Sequence, residues 1–113
     1  MIRVTFGKLL FTTMSTTGES RKAAQDRIAD LRRVIEQQPA GDTRAQLLDE
    51  CDALARAVNA FHMEGIRFRS YNVERLLHKG GLDLPAEALE TFAEVRRHLE
   101  AAGFHTRSHQ SPV

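Results

Sequence analysis

Tryptophan is absent from this 113-residue chain, tyrosine and cysteine occur once each, and proline occurs three times. The lone Cys51 excludes an intrachain disulfide and makes a reducing, cytoplasmic setting the default expectation. No apolar run approaches the ~20 residues of a membrane span. The opening "MIRVTFGKLLFTT" has an apolar run, Leu9–Phe11, too short for a secretory signal. Its thirteen residues read as an over-extended gene start, a disordered arm or a short edge strand in which Ile2, Val4 and Phe6 alternate. A glycine-rich phosphate loop, a nucleophile elbow and a paired Cys-x-x-Cys are all missing, as are internal repeats.

What is present is ordinary for a single soluble domain: 42% hydrophobic and 27% charged residues. The net charge of +1 gives no global pull toward nucleic acid or an anionic membrane. Its distribution says more. Residues 1–40 hold seven basic and four acidic side chains, and residues 41–64 hold two and five. Residues 65–81 hold four and one, and residues 82–104 hold two and five. Successive segments thus alternate in sign, and neighbours folded back on one another would be complementary. Exposed pairs contribute only about 0–1 kcal/mol each, so they guide pairing more than they hold it.

Hydrophobic periodicity predicts an all-α fold. Ala24, Ile28, Leu31, Val34 and Ile35 recur at three and four, which makes one stripe of a helix from about Ser20 to Gln38. Ser20 or Thr16 is its expected cap, and Pro39 its stop. Asp42 or Thr43 then caps a second helix with the stripe Leu47, Leu48, Cys51, Leu54, Ala55, Val58 and Phe61. The stripe drifts onward through His62, Gly65, Arg69 and Asn72, with a second row at Ile66, Val73 and Leu77. No proline intervenes, and a lone glycine costs a helix only about 1 kcal/mol. The preferred reading is therefore one long central helix over about 43–79, ended by "HKGG". A break near Gly65 is the alternative, and it makes a compact monomeric four-helix bundle. Pro85 starts the last helix, whose stripe is Leu89, Phe92, Val95 and Leu99 and whose end is Gly103.

The expected architecture is antiparallel helical hairpins around that central helix, completed into a helical bundle by dimerisation, because an unbroken middle helix has apolar surface left over. The expected organisation is an arm at 1–15, a helical domain at 16–104 and a mobile tail at 105–113.

The most chemically suggestive stretch is "FHMEGIRFRSYNVERLLHKGG", residues 61–81. Arg67, Arg69, Tyr71 and Arg75 interleave cations with aromatics, as faces that hold phosphate and stack on bases do. The acidic segments on either side narrow any such footprint. His62 has no ligand three or four residues on, whereas Glu74–His78, Glu94–His98 and His105–His109 have helical metal spacing. A helix-end Glu–His pair is more often structural, and no metal or other cofactor is expected. Cys51 lies within an apolar stripe, where cysteine behaves as a small hydrophobe. His62, Tyr71 and Asn72 are the one plausible inward-facing polar group for a bundle-core enzyme, and histidine at a helix seam more often sets register.

These readings favour a small helical self-association or protein-interaction module without a catalytic site. Its interface and core are expected at Leu47, Leu54, Val58, Phe61, Phe68, Val73 and Leu77. Its expected partner is a second copy, with a partner helix from another protein as the other candidate. The alternative function is a nucleic-acid- or phospholigand-binding face at Arg67, Arg69, Tyr71 and Arg75.

Overall fold

Each apolar stripe buries itself against the others, and the result is four helices where three were expected. The computed structural model describes residues 16–106. The arm at 1–15, with its candidate strand, and residues 107–113 of the tail lie outside the described residues. Helices α1 (Thr16–Glu36), α2 (Asp42–Asn59), α3 (Met63–Lys79) and α4 (Ala86–Ala101) form an all-α compact bundle, and no strand occurs among the described residues. The most extensive packing is α1 on α4, then α2 on α3 and α1 on α2; α3 and α4 touch only slightly. The core is aliphatic. Ile28, Leu31 and Ile35 of α1 meet Leu47, Leu54 and Val58 of α2, with Ile66 and Val73 of α3 and Val95 and Leu99 of α4.

The long central helix does not form: the chain turns back at Ala60–His62, between α2 and α3. No proline or glycine stands at the turn, and Phe61 itself adopts a left-handed φ of 57°. Such a conformation costs a bulky residue on the order of 1–3 kcal/mol. Burying a single Val, Leu or Ile side chain contributes about 1.5–3 kcal/mol. Folding back places Ile66, Val73, Leu76 and Leu77 in the core of the same chain, so burial outweighs the strain. The dimer was expected in order to cover surface that the turn now covers internally.

The turn is closed by local hydrogen bonds. Phe61 N–H donates to the Val58 carbonyl (3.2 Å) and His62 N–H to the Ala57 carbonyl (2.9 Å). The His62 side chain then caps α3, its Nδ1 accepting the Gly65 N–H at 3.1 Å. A Cβ at Gly65 would lie 2.4 Å from that nitrogen, so the glycine serves the cap rather than a helix break. Phe61 is 60% exposed, yet its ring meets Phe104 edge-on at 6.0 Å between centroids and carries the Arg21 guanidinium at 4.5 Å. The chain after α4 thus returns to the turn: Phe104 and Thr106 are buried, and His105 N–H reaches Met63 Sδ at 3.3 Å. At the opposite pole Thr43 Oγ1 donates to the Gly80 carbonyl (2.9 Å), tying the start of α2 to the end of α3. Thr43 therefore acts as a tie and not as a cap; the position before α2 is Gly41, with no side-chain cap bond. Gly81, with φ 87°, reverses the chain toward α4.

Arginine–carboxylate pairs bridge every adjacent pair of helices. Arg32 Nε meets Asp52 Oδ1 at 2.8 Å between α1 and α2, and Arg69 meets Glu50 at 3.2 Å between α2 and α3. Arg27 meets Glu94 at 3.4 Å between α1 and α4, and Arg96 pairs with Glu74 between α3 and α4. Three of the four join a net-positive segment's cation to a net-negative segment's carboxylate. The Arg96–Glu74 pair reverses the order.

Two outcomes follow from the burial pattern. Val58→Asp places an unpaired charge in the core and should abolish cooperative unfolding, whereas Phe61→Asp should retain the helix content of the native chain by circular dichroism. Ser70 Oγ is buried without a hydrogen-bond partner, so Ser70→Ala should leave the unfolding free energy unchanged or raise it by up to about 1–3 kcal/mol, as read by denaturant titration.

Candidate interaction face on helix α3

Successive turns of α3 sort the suggestive stretch onto different sides. Ile66, Ser70, Val73 and Leu77 point inward. Glu64, Phe68, Tyr71, Arg75 and Lys79 share the outer side, at helical spacings of three and four. Phe68 and Tyr71 are each 56% exposed. Phe61 and Phe68, both expected to pack inside, are instead exposed. Of the other residues expected to pack, Leu47, Leu54, Val58, Val73 and Leu77 are all buried.

The basic residues divide. Arg67 is mostly covered and lies 3.7 Å from Glu64. Arg69 turns toward α2, where its Nη1 reaches both Glu50 oxygens at 3.2 Å, and its guanidinium lies 5.1 Å from the Phe68 ring centre. Tyr71 and Arg75 remain on the outer face and line a shallow hollow of about 250 Å³ with Glu74, His78 and Lys79. The four expected phosphate-binding residues thus point in three directions.

A second hollow of about 500 Å³ lies between α2 and α3 beside the turn. Its floor is small, made by Ala53, Ala57, Ala60 and Gly65, and its walls are Arg56, His62, Phe68 and Arg69. His62 and Arg69 do share this hollow, and Tyr71 does not. Two of its polar groups are engaged: the His62 Nδ1 caps α3 and Arg69 holds Glu50. Asn72 is buried on α3, so the histidine, tyrosine and asparagine do not form one inward group. His62 is exposed and caps a helix; it does not set register at a seam.

Among the described residues no group of three or more His, Cys, Asp and Glu side chains could hold a metal ion. His78 and Glu74 stand 3.9 Å apart, and Glu74 also pairs with Arg96. Cys51 is buried, and burial, reinforced by the nearby Asp52 charge, pushes its thiol up to about 12. No described helix is long and apolar enough to cross a membrane. Two members of this outer stripe, Tyr71 and Arg75, belong to the basic-aromatic set read from the sequence, but periodicity assigns Phe68 to the expected seam.

The chain matches no protein-family model, and neither a curated protein nor a solved structure shows significant similarity to it.

The buried thiol gives a direct expectation. An acid whose folded value is raised contributes no pH dependence below its ordinary value of 9.0 and lowers stability as pH rises from there toward about 12. Native protein at pH 8 should therefore react with a thiol reagent only at its rate of opening, and the stability gap between the native chain and Cys51→Ala should shift against the native chain above pH 9.0.

Proposed function

We propose that the protein is a small helical association module whose contact surface is the outer stripe of α3 and whose occupant is a second copy of this chain. The observation carrying this reading is the exposure of Phe68 and Tyr71 together on one stripe, with an acid at one end and cations at the other. Solvent-facing aromatics at contiguous helical positions are the residues from which association hot spots are built. The order of residues is self-complementary. In an antiparallel pairing about a two-fold axis midway between residues 69 and 70, Phe68 stands opposite Tyr71 of the other copy, and Glu64 opposite Arg75. A two-fold interface requires that reciprocity. The paired stretch Glu64–Arg75 spans about 16 Å, the rise of eleven helical residues. A helix from another protein with the same polarity is the competing occupant.

The alternative reading, a nucleic-acid- or phospholigand-binding face at Arg67, Arg69, Tyr71 and Arg75, has weaker support. Two of its three arginines lie beside carboxylates of this chain and off the outer stripe. It calls for a salt-sensitive gel shift that disappears in Arg75→Glu with Lys79→Glu.

Light scattering over a concentration series tests the self-association. The native chain should move from 12.7 kDa toward twice that mass, and Phe68→Glu with Tyr71→Glu should weaken association at least ~10-fold at unchanged helix content. Glu64→Arg alone should weaken it, and adding Arg75→Glu should restore it. A native chain that stays at 12.7 kDa throughout, or a Glu64/Arg75 exchange that restores nothing, refutes the pairing.

A further inference from the structure

The turn between α2 and α3 divides the chain into two halves, α1–α2 and α3–α4. The contacts between these halves, α1 on α4 and α2 on α3, are the largest in the molecule. Only three residues, Ala60, Phe61 and His62, join them. None is a proline or glycine, and all three have side chains that a helix accommodates. The middle one is held in a left-handed conformation that phenylalanine rarely adopts. Short, strained hinges of this kind invite the exchange of halves between copies.

We propose that two copies of this chain exchange their α3–α4 halves by straightening the turn, so that residues 42–79 become one continuous helix in each copy. Each half then packs on the complementary half of the other chain through the contacts it makes in the closed molecule. Arg27–Glu94 and Arg69–Glu50 become pairs between chains, while Arg32–Asp52 and Arg96–Glu74 stay within one. Straightening releases Phe61 from its left-handed state and adds helical residues at the hinge. It gives up the His62 cap and separates Phe61 from its own Phe104 and Arg21, which are the contacts that hold the closed form. The exchange is a different association from the pairing of closed chains on α3, and it leaves Phe68 and Tyr71 facing outward.

Two substitutions push the equilibrium in opposite directions. In Gly65→Ala the new Cβ falls 2.4 Å from the capping His62 nitrogen in the bent form, whereas the straight form has no cap to clash with and position 65 is helical in both. Phe61→Gly relieves the bent form and weakens the straight one. Both are refolded from denaturant at rising concentration, alongside the native chain, in a Phe68→Glu, Tyr71→Glu background that removes face pairing. Gly65→Ala should raise the dimer-to-monomer ratio at least ~5-fold, the loss of a helix cap converted to a ratio. Phe61→Gly should lower it. The topology is read by a short bismaleimide joining Glu50→Cys to Arg69→Cys with Cys51→Ala. The dimer should give a double-mass band on a denaturing gel and the monomer a single-mass band. A dimer linked only within chains overturns the exchange. So does a native chain that refolds wholly as monomer together with a Gly65→Ala that is also monomeric or does not fold.

Discussion

The reversal at Ala60–His62 is the constraint on which the rest of the bundle depends. With it, α3 covers α2 and carries α4 back to α1, where the most extensive packing of the molecule lies. Without it, Ile66, Val73 and Leu77 would have no partner in their own chain. The reversal is set by tertiary burial and only weakly by local preference, since the residues that make it are ordinary helix residues and one of them is strained. Its local support comes from the His62 cap, the edge-on Phe104 ring and the Arg21 guanidinium. These draw together the start of α1, the turn and the segment after α4.

Charge follows the same plan as burial. The alternation in sign along the chain is realised as a bridge at every helix–helix boundary. The three bridges that follow the alternation are partly exposed and individually weak, so they select among arrangements that burial alone would permit. The exception is informative. Between α3 and α4, where packing is slightest, the pairing cation comes from the acidic segment, and Arg96 is itself largely buried, with its guanidinium 5.0 Å from the Phe92 ring centre. At that boundary an arginine stem and an aromatic ring supply part of the contact that aliphatic side chains supply elsewhere.

Much of the fold was legible in the residues. The spacing of Ile28, Leu31 and Ile35, the stop at Pro39, the ending at "HKGG" and the start at Pro85 placed helix boundaries to within a few residues. The break was not legible at its true position because its only obvious marker, Gly65, belongs to the cap three residues later. A quieter signal existed. Leu47, Cys51, Leu54 and Val58 continue at the same spacing to Phe61, Gly65 and Phe68, whereas the buried row on α3 is Ile66, Ser70, Val73 and Leu77. The two rows are out of step by about one residue, roughly 100° around a helix. Phe61 and Phe68 sit on the abandoned row, which is why both were assigned to the interior and both are on the surface. The outer stripe of α3 is hidden in the sequence for the same reason. Periodicity reports that a stripe exists, and it does not report whether the surface that covers it lies in the same chain.

The poles of the bundle differ in what they hold. The Thr43–Gly80 tie marks one, and the cluster of Arg21, Phe61 and Phe104 marks the other, so the first turns of α1 and the residues after α4 lie side by side. The order of helices is therefore close to a closed ring. A brief peptide bridge from the end of α4 to the start of α1, with new termini cut in the Gly81–Pro85 connection, would give a rearranged gene whose product keeps every helix neighbour it has now.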